Sequence, residues 1–368
     1  MELKDHRLIA GPTFDHILYE RRPAHDLHGQ VVPDLSDAWI WLNNPSQLNS
    51  YTTDALRELH IAVRDASTDR AVVSVVLTGV GDRAFCSGGN TKEYAEYYSG
   101  HPGEYKQYMR LFNDVITAML ICDKPVINRV NGMRIAGGQE IGMACDFSVA
   151  SDLARFGQAG PRHGSVPDGG STDFLHLYVG IGLATESCTL CEHWSAYKAL
   201  RLGLINQVVP VLVHESRFIP NPLVVTDRWV HADGSIAYGE SVPAERVPAA
   251  KTLMAACRID LSRLDTAVAG LSAKLLNTMP DCLAKTIESL RKKKLEHWHR
   301  NSETNRSWLA LNMMTEAKAG FRTFNDGAPG HREVDFAELR RRLARGESWD
   351  DELFRAIRPK TGAAVSGS

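Results

Sequence analysis

The chain has 368 residues, which is long for a small domain, so one large core with an appended region is the expected organisation. Its 42 Lys and Arg residues nearly balance its 44 Asp and Glu residues, and the net charge of -2 gives no electrostatic reason to expect a nucleic-acid or membrane-surface partner. Hydrophobic residues make up 43% of the chain, enough for a packed core.

Neither a secretory signal nor a membrane span is predicted. The first residues, MELKDHRLIAGPTFDH, are charged where a signal would be apolar, and no run approaches the roughly 20 apolar residues of a span. The seven scattered cysteines indicate reduced thiols, so we expect a cytoplasmic protein. Cys188 and Cys191 have Cys-x-x-Cys spacing, but no second pair completes a zinc site, and we predict no metal.

The first part of the chain shows alternating strand and helix patterns. Residues 1–37 are polar and predict an N-terminal arm or edge segment. AWIWL (38–42) alternates like a strand, YTTDALRELHIAVRDA (51–66) has helical spacing, and VVSVVLTG (72–79) is apolar on both faces. A strand that is apolar on both faces is typical of a sheet covered on both sides.

The next segment continues this alternation. YKQYMRLFNDVITAML (105–120) places apolar side chains on one helical face, namely Met109, Phe112, Ile116 and Met119. Strands are predicted at KPVINRVNG (124–132) and DFSVAS (146–151). Strands that alternate with helices predict an α/β layered core with parallel strands, which we place at 38–210.

The chain changes character after this core. Residues 211–249 are rich in Pro, Gly and charge and are interpreted as an insertion. Residues 250–326 have helical periodicity without strand patterns, which predicts a helical appendage. Residues 327–368 form a C-terminal extension that ends in the small-residue tail TGAAVSGS.

Two glycine-rich turns each follow a predicted strand. They are TGVGDRAFCSGGNTKEY (78–94) and GMRIAGGQEIGMA (132–144). Each turn brings backbone N–H groups to the carboxyl end of a strand, where open α/β sheets place their ligands. Two such amides, one from each turn, can form an oxyanion hole, and a helix that begins near Gly138 would add its positive end. Taken alone, either turn is more typical of an ordinary strand–helix connection, because a lone glycine cluster is a weak signal.

The segments FCSGGN, NGMRIAGGQE and CDFSVAS…ARFGQAG together resemble the crotonase, or enoyl-CoA hydratase/isomerase, superfamily. The resemblance implies a spiral core of ββα units, a C-terminal helical region for oligomer packing, an acyl-CoA substrate, and a homotrimer or homohexamer. It also implies that the N–H groups of Gly89 and Gly137, beside Gly88 and Gly138, hold the thioester oxygen of the substrate. No cofactor is implied beyond the CoA carried by the substrate.

The resemblance assigns one catalytic acid and removes another. Glu140 matches one of the two glutamates of the family, although an acid in the first helical turn is also common as a purely stabilising group. Gly160 stands where the second glutamate would be, so simple hydration of a linear enoyl-CoA is not the expected reaction. Asp168 matches a position where some family members carry a catalytic aspartate, but Pro-Asp-Gly is also strong turn chemistry. His163 is either a proton carrier or a loop histidine.

A more specific resemblance covers nearly the whole chain, including the insertion. Segments such as GGNTKEYAEYY, NPLVVTDR and WLALNMMTEAKAGFRTFN look like a ring-opening branch of the superfamily, whose members hydrate a cyclic enone thioester and then cleave a ring carbon–carbon bond in anaerobic aromatic degradation. Two alternatives stay open. One is a hydratase or isomerase acting on another acyl-CoA, and the other is a non-catalytic scaffold or RNA-binding protein of the same fold.

Overall fold

The computed structural model describes residues 3–359 and contains strands and helices in nearly regular alternation. The strands are β1 (Ile17–His25), β2 (Val31–Leu42), β3 (Val72–Gly79), β4 (Ala84–Cys86), β5 (Val126–Val130), β6 (Met133–Ile135), β7 (Phe147–Ser151), β8 (Arg155–Gly157), β9 (Trp194–Ser195), β10 (Gln207–Val209), β11 (Leu212–His214), β12 (Arg217–Ile219) and β13 (Arg258–Ile259). The helices are α1 (Thr53–Thr68), α2 (Thr91–Glu93), α3 (Pro102–Leu120), α4 (Gly137–Ala144), α5 (Ser171–Val179), α6 (Ile181–Leu190), α7 (Ala196–Arg201), α8 (Val247–Ala255), α9 (Ser262–Leu276), α10 (Pro280–Asn312), α11 (Glu316–Asp326), α12 (Phe336–Ala344) and α13 (Asp351–Ala356).

The main sheet has six strands in the order β1-β2-β3-β5-β7-β10. All neighbours from β2 to β10 are parallel, and β1 pairs antiparallel with β2 at one edge. Helices α1 and α3 contribute to the large core on one face of the sheet, and α9 covers the other face through Leu264 and Val268. The apolar pattern of 72–79 therefore predicted correctly that this strand is covered on both sides.

A second sheet explains the repeating path of the chain. Its order is β4-β6-β8-β9, and β4, β6 and β8 are parallel. Each of β3, β5 and β7 in the main sheet is followed by one of these short strands and then by helical structure. Three successive ββα units result, which confirms the predicted spiral α/β core. The predicted apolar face of α3 is also confirmed, because Met109, Phe112, Ile116 and Met119 are all buried.

The structure places part of the predicted N-terminal arm in the sheet. Strand β1 and the first half of β2 lie within residues 1–37, so the core begins before residue 38. The register joins Ile17 to Leu42 and continues to Pro23 and Ser36. The sequence analysis missed this hairpin because its strands carry many polar residues, as an edge position allows.

A buried carboxylate of the core anchors the start of the segment predicted as an insertion. Asp152, at the end of β7, accepts hydrogen bonds from the backbone N–H groups of Asn221 at 2.7 Å and Val211 at 3.2 Å. Burial raises the pKa of Asp152 to about 6. Strands β11 and β12 within the segment form a small sheet with β13, which lies beyond the predicted boundary at 249.

The predicted helical appendage consists of α8 to α11. Helix α10 packs against α3, and its Arg291 forms an ion pair with Asp146 at 2.5 Å in which both side chains are buried. Helix α11 returns over the core and contacts Tyr94 through Phe321. Across residues 3–359, no helix combines the length and apolar character that crossing a membrane requires.

Candidate active site

A cavity of about 730 Å³ opens where the two glycine-rich turns meet. The turns after β3 and β5 form one wall, α3 contributes Met109 and Phe112, and α11 contributes Phe321 and Phe324. The walls are largely aromatic and aliphatic, with a few polar groups directed inward, as is usual for a pocket that binds a small molecule. Gly89, Gly137, Glu140 and His163 all line this cavity, so the structure brings together four of the predicted site residues.

The backbones of the two turns touch at the base of the cavity. Gly88 has φ +101°, and a Cβ added to it would lie 3.2 Å from the backbone nitrogen of Gly137. Tyr51 N–H donates to the Gly88 carbonyl at 3.1 Å, and Asn90 N–H donates to the Tyr51 carbonyl at 2.9 Å, so Gly89 directs its own N–H away from this pairing. Between residues 3 and 359, neither Gly89 N–H nor Gly137 N–H donates to a protein group. Two unpaired donors on adjoining turns have the arrangement of an oxyanion hole.

Tyrosine hydroxyls occupy the space that side chains at the two donor positions would need. A Cβ on Gly137 would lie 1.8 Å from the Tyr51 hydroxyl oxygen, and a Cβ on Gly89 would lie 1.6 Å from that of Tyr94. Gly138 is equally confined, because its Cβ would meet the backbone of β4 at 2.3 Å. Glycine is therefore required at these positions by close packing.

Ala136 fixes the direction of the second donor. It has φ +52° and ψ -128°, a sparsely populated backbone conformation that costs a residue other than glycine about 1–3 kcal/mol. Its N–H donates to the Gly157 carbonyl of β8 at 3.0 Å, which holds the strained turn in place. Strain of this kind is common at functional sites that must hold one geometry.

Glu140 lies in the first turn of α4 with only 6% of its surface exposed. Its pKa is raised to about 8, mainly by burial and to a smaller extent by the nearby charge of Asp168. The backbone N–H of Ser171 donates to its Oε1 at 3.3 Å, while its Oε2 faces the α-carbon of Gly169. A carboxyl group in this environment can both accept and return a proton near neutral pH.

The position of the missing second glutamate leaves no room for a side chain. Gly160 lines the cavity at the start of a short 3-10 turn, which the Ser165 N–H closes by donating to the Gly160 carbonyl at 2.9 Å. A Cβ on Gly160 would lie 2.3 Å from the backbone oxygen of Ser165. The loop conformation leaves room only for glycine at residue 160. The cavity wall formed by this loop therefore carries no carboxylate there.

His163 lines the cavity next to the aromatic residues of α11. Its ring centroid lies 4.7 Å from that of Phe324, and its Nδ1 is buried without a hydrogen-bond partner among residues 3–359. Burial lowers the pKa of His163, so the ring is neutral at physiological pH. A proton-transfer role for His163 stays a prediction.

Asp168 lies beside the site but does not line the cavity. Its Oδ1 accepts a hydrogen bond from the Thr172 hydroxyl at 2.8 Å, and burial raises its pKa. This contact is the one expected of a residue that stabilises the turn before α5. The charge of Asp168 contributes to the raised pKa of Glu140. A catalytic role for Asp168 also stays a prediction.

The sequence analysis missed a cluster of buried aromatic residues around the hole. It consists of Tyr51, Tyr94, Tyr98, Tyr105 and Tyr108. The spacing of YAEYY and YKQYM offered a signal, because residues three or four apart share one helical face. The sequence could not show that two of these hydroxyls border the glycines.

The sequence model for enoyl-CoA hydratase/isomerase matches residues 36–224, slightly more than half of the chain. The chain belongs to the enoyl-CoA hydratase/isomerase family. A structure of a family member from Xanthobacter autotrophicus Py2, an enoyl-CoA hydratase/isomerase, has a TM-score of 0.62 at 21% identity and covers 91% of this chain and 100% of its own. At that identity the likeness supports the fold alone.

Within the family, relatives of the same length provide a narrower comparison. The chain is 57% identical over 359 residues to a 6-oxocyclohex-1-ene-1-carbonyl-CoA hydrolase from Thauera aromatica, covering 97% of this chain and 95% of the relative. It is 54% identical over 362 residues to a hydrolase of the same name from Geobacter metallireducens, with the same coverage. The similarity therefore includes the 211–249 segment and most of the C-terminal extension.

Proposed function

We propose that this protein is a ring-opening hydrolase that converts 6-oxocyclohex-1-ene-1-carbonyl-CoA to 3-hydroxypimelyl-CoA. The observation that carries this proposal is an oxyanion hole with two N–H donors beside one buried acid, Glu140. Packing at Gly160 leaves no room for a second acid at that position. Full-length similarity to hydrolases of that name supports the choice of substrate.

The first step adds water across the ring double bond. Glu140 takes a proton from the water as its oxygen bonds to the carbon β to the thioester. The electron pair of the double bond moves onto the thioester oxygen, which the N–H groups of Gly89 and Gly137 stabilise. With a pKa near 8, Glu140 is suited to return the proton to the α-carbon.

The second step opens the ring at the same hole. A second water attacks the ring ketone and gives a proton to a base, for which Asp168 is the candidate, and the bond between that carbon and the α-carbon breaks. The electron pair again moves onto the thioester oxygen held by Gly89 and Gly137, and protonation of the α-carbon completes the product. Two waters are consumed without a net change of oxidation state, so the reaction requires no redox cofactor.

The function is tested by incubating the purified protein with the cyclic enone thioester and, separately, with crotonyl-CoA. We expect the cyclic substrate to gain the mass of two waters and crotonyl-CoA to be a poor substrate. Efficient hydration of crotonyl-CoA with no ring opening would favour the alternative, a hydratase of another acyl-CoA. No turnover of either thioester would favour a non-catalytic member of the fold.

The assembly and location of the protein are part of the proposal. Helices α8 to α11 form the region that the family resemblance assigns to oligomer packing, and we propose a homotrimer or homohexamer in the cytoplasm. The net charge of -2 gives no electrostatic reason to expect a nucleic-acid or membrane-surface partner, and we propose neither.

Asp168→Asn is expected to slow ring opening more than hydration, so that the hydrated, unopened ring accumulates. The reason is that one fixed carboxylate cannot easily be within hydrogen-bond reach of two waters that attack different ring atoms. The test follows both thioesters by mass in single-turnover experiments. Thr172→Val serves as the control, because it removes the hydrogen bond at 2.8 Å but keeps the carboxylate. Ring opening by Asp168→Asn at the normal rate would leave Asp168 as a turn residue.

A further inference from the structure

The hydroxyl of Tyr51 is held at the oxyanion hole without a protein partner. The Tyr51 side chain is 4% exposed and lines the cavity, and its ring stacks on Phe112 with centroids 5.6 Å apart. Its oxygen lies where a Cβ of Gly137 would be, and its backbone pairs with Gly89. Within residues 3–359 this hydroxyl makes no hydrogen bond. It is therefore placed beside both donors of the hole and free to bind a ligand.

Three neighbouring tyrosine hydroxyls, by contrast, are paired within the protein. The Tyr94 hydroxyl is bonded to that of Tyr108 at 2.6 Å, and the Tyr98 hydroxyl to that of Thr53 at 2.7 Å. The hydroxyl of a largely buried tyrosine usually finds a hydrogen-bond partner, and because Tyr51 lines the cavity, a bound ligand can supply one. Burial raises the pKa of Tyr51 well above its usual value, so its hydroxyl stays a neutral donor throughout the physiological range.

The chemistry of the proposed substrate offers a matching acceptor. Its ring ketone and its thioester carbonyl are attached to the same α-carbon. When Gly89 and Gly137 hold the thioester oxygen, the ketone oxygen must lie close to the hole. Attack by the second water turns this ketone oxygen into an alkoxide, and both backbone donors are already engaged. The alkoxide therefore needs a third donor next to the hole.

We propose that the Tyr51 hydroxyl donates a hydrogen bond to the ring ketone oxygen and is a catalytic residue of the ring-opening step, an inference that rests on the proposed function. As the water oxygen bonds to the ketone carbon, the carbonyl electron pair moves onto the oxygen that Tyr51 stabilises. When the carbonyl re-forms, the ring bond breaks and its electron pair moves onto the thioester oxygen at Gly89 and Gly137. The proton that the attacking water loses goes to the base of this step, for which Asp168 is the candidate, and then to the α-carbon, so Tyr51 keeps its own proton throughout.

The test compares Tyr51→Phe with Tyr98→Phe, which removes a hydroxyl from the same aromatic cluster outside the cavity. Loss of one preorganised donor typically costs about 10²–10³ in rate, and we expect kcat for ring opening to fall by that factor in Tyr51→Phe. KM should change little, and hydration should be slowed much less than ring opening, because the charge formed in hydration is shared between the thioester and ketone oxygens, whereas attack on the ketone places the full charge on the ketone oxygen. The hydrated ring should accumulate in Tyr51→Phe, whereas Tyr98→Phe should behave like the wild type.

Three outcomes would overturn the inference. Ring opening by Tyr51→Phe at the wild-type rate would show that the hydroxyl is not used. Equal losses in hydration and ring opening would make Tyr51 a structural residue of the hole, and the hydration rate of the same sample reports whether the site is folded. If the wild-type protein hydrates the cyclic substrate but never opens it, the proposed function fails together with the inference.

Discussion

Glu140→Gln is expected to fold and to bind acyl-CoA but to lose about 10²–10⁴-fold in the rate of hydration, the usual contribution of a general base. Glutamine keeps the shape of the side chain and its place in the first turn of α4, while removing the ability to take a proton. The rate of the first water addition, measured on the cyclic substrate, checks this result. Unchanged hydration in a folded variant would make Glu140 a stabilising helix acid.

Glu93→Gln is a matched control for that alternative. Glu93 also lies in the first turn of a helix, accepts hydrogen bonds from Thr53, and does not line the cavity. If the role of Glu140 were only to stabilise a helix terminus, the two substitutions would have similar, small effects on turnover. A large loss in Glu140→Gln alone assigns it to the chemistry.

Glu140→Gln should also change how the stability of the protein depends on pH. Burial raises the pKa of Glu140 to about 8 in the folded protein, so folding favours the neutral carboxyl. The stability associated with that neutral form is present at low pH and is lost as the pH rises through about 8. Glu140→Gln stays neutral and should therefore have a higher Tm than the wild type above that pH. For activity the sign is opposite, because the wild-type kcat/KM should rise as Glu140 loses its proton.

Gly137→Pro is expected to lower both water additions by at least about 10²–10³-fold, because it removes one of the two N–H donors of the hole. Both steps should suffer, since each forms negative charge on the thioester oxygen. This pattern distinguishes Gly137 from Tyr51, whose loss should affect mainly ring opening. Near-normal turnover in a folded Gly137→Pro variant would contradict the assignment of the hole.

Gly137→Ala separates the loss of the donor from crowding. The alanine variant retains the N–H but places a Cβ 1.8 Å from the present position of the Tyr51 hydroxyl, so this side chain must move. We expect Gly137→Ala to reduce ring opening through displacement of Tyr51 while hydration survives better than in Gly137→Pro. Circular dichroism and acyl-CoA binding establish that both variants are folded.

The sequence predicted the parts of this molecule that depend on local pattern. The apolar run at 72–79 and the helical face from Met109 to Met119 contain enough information to specify a strand covered on both sides and a helix packed on the sheet. The glycine turns predicted where a ligand would bind, because a glycine has no Cβ to keep a ligand away from the backbone N–H groups. The edge hairpin at β1 was missed because polar residues are tolerated there.

The remaining features of the site depend on contacts between distant residues. Tyr51 is separated from Gly137 by about half of the core in sequence, and the pairing of its backbone with Gly89 helps to bring its hydroxyl to the hole. The contact of Asp168 with Thr172 likewise depends on how α5 begins, which the Pro-Asp-Gly pattern leaves open. Side-chain direction at such points is set by tertiary packing, which no local pattern specifies.

The closed turn at Gly160 has an evolutionary consequence. Restoring the family's second glutamate with a single Gly160→Glu substitution would force its Cβ against the Ser165 carbonyl, at 2.3 Å. The loop backbone would have to be rebuilt before that acid could function. A single mutation at this position would therefore cost folding stability before it could contribute a second catalytic acid. The fold of this loop therefore opposes the gain of a second acid by a single substitution.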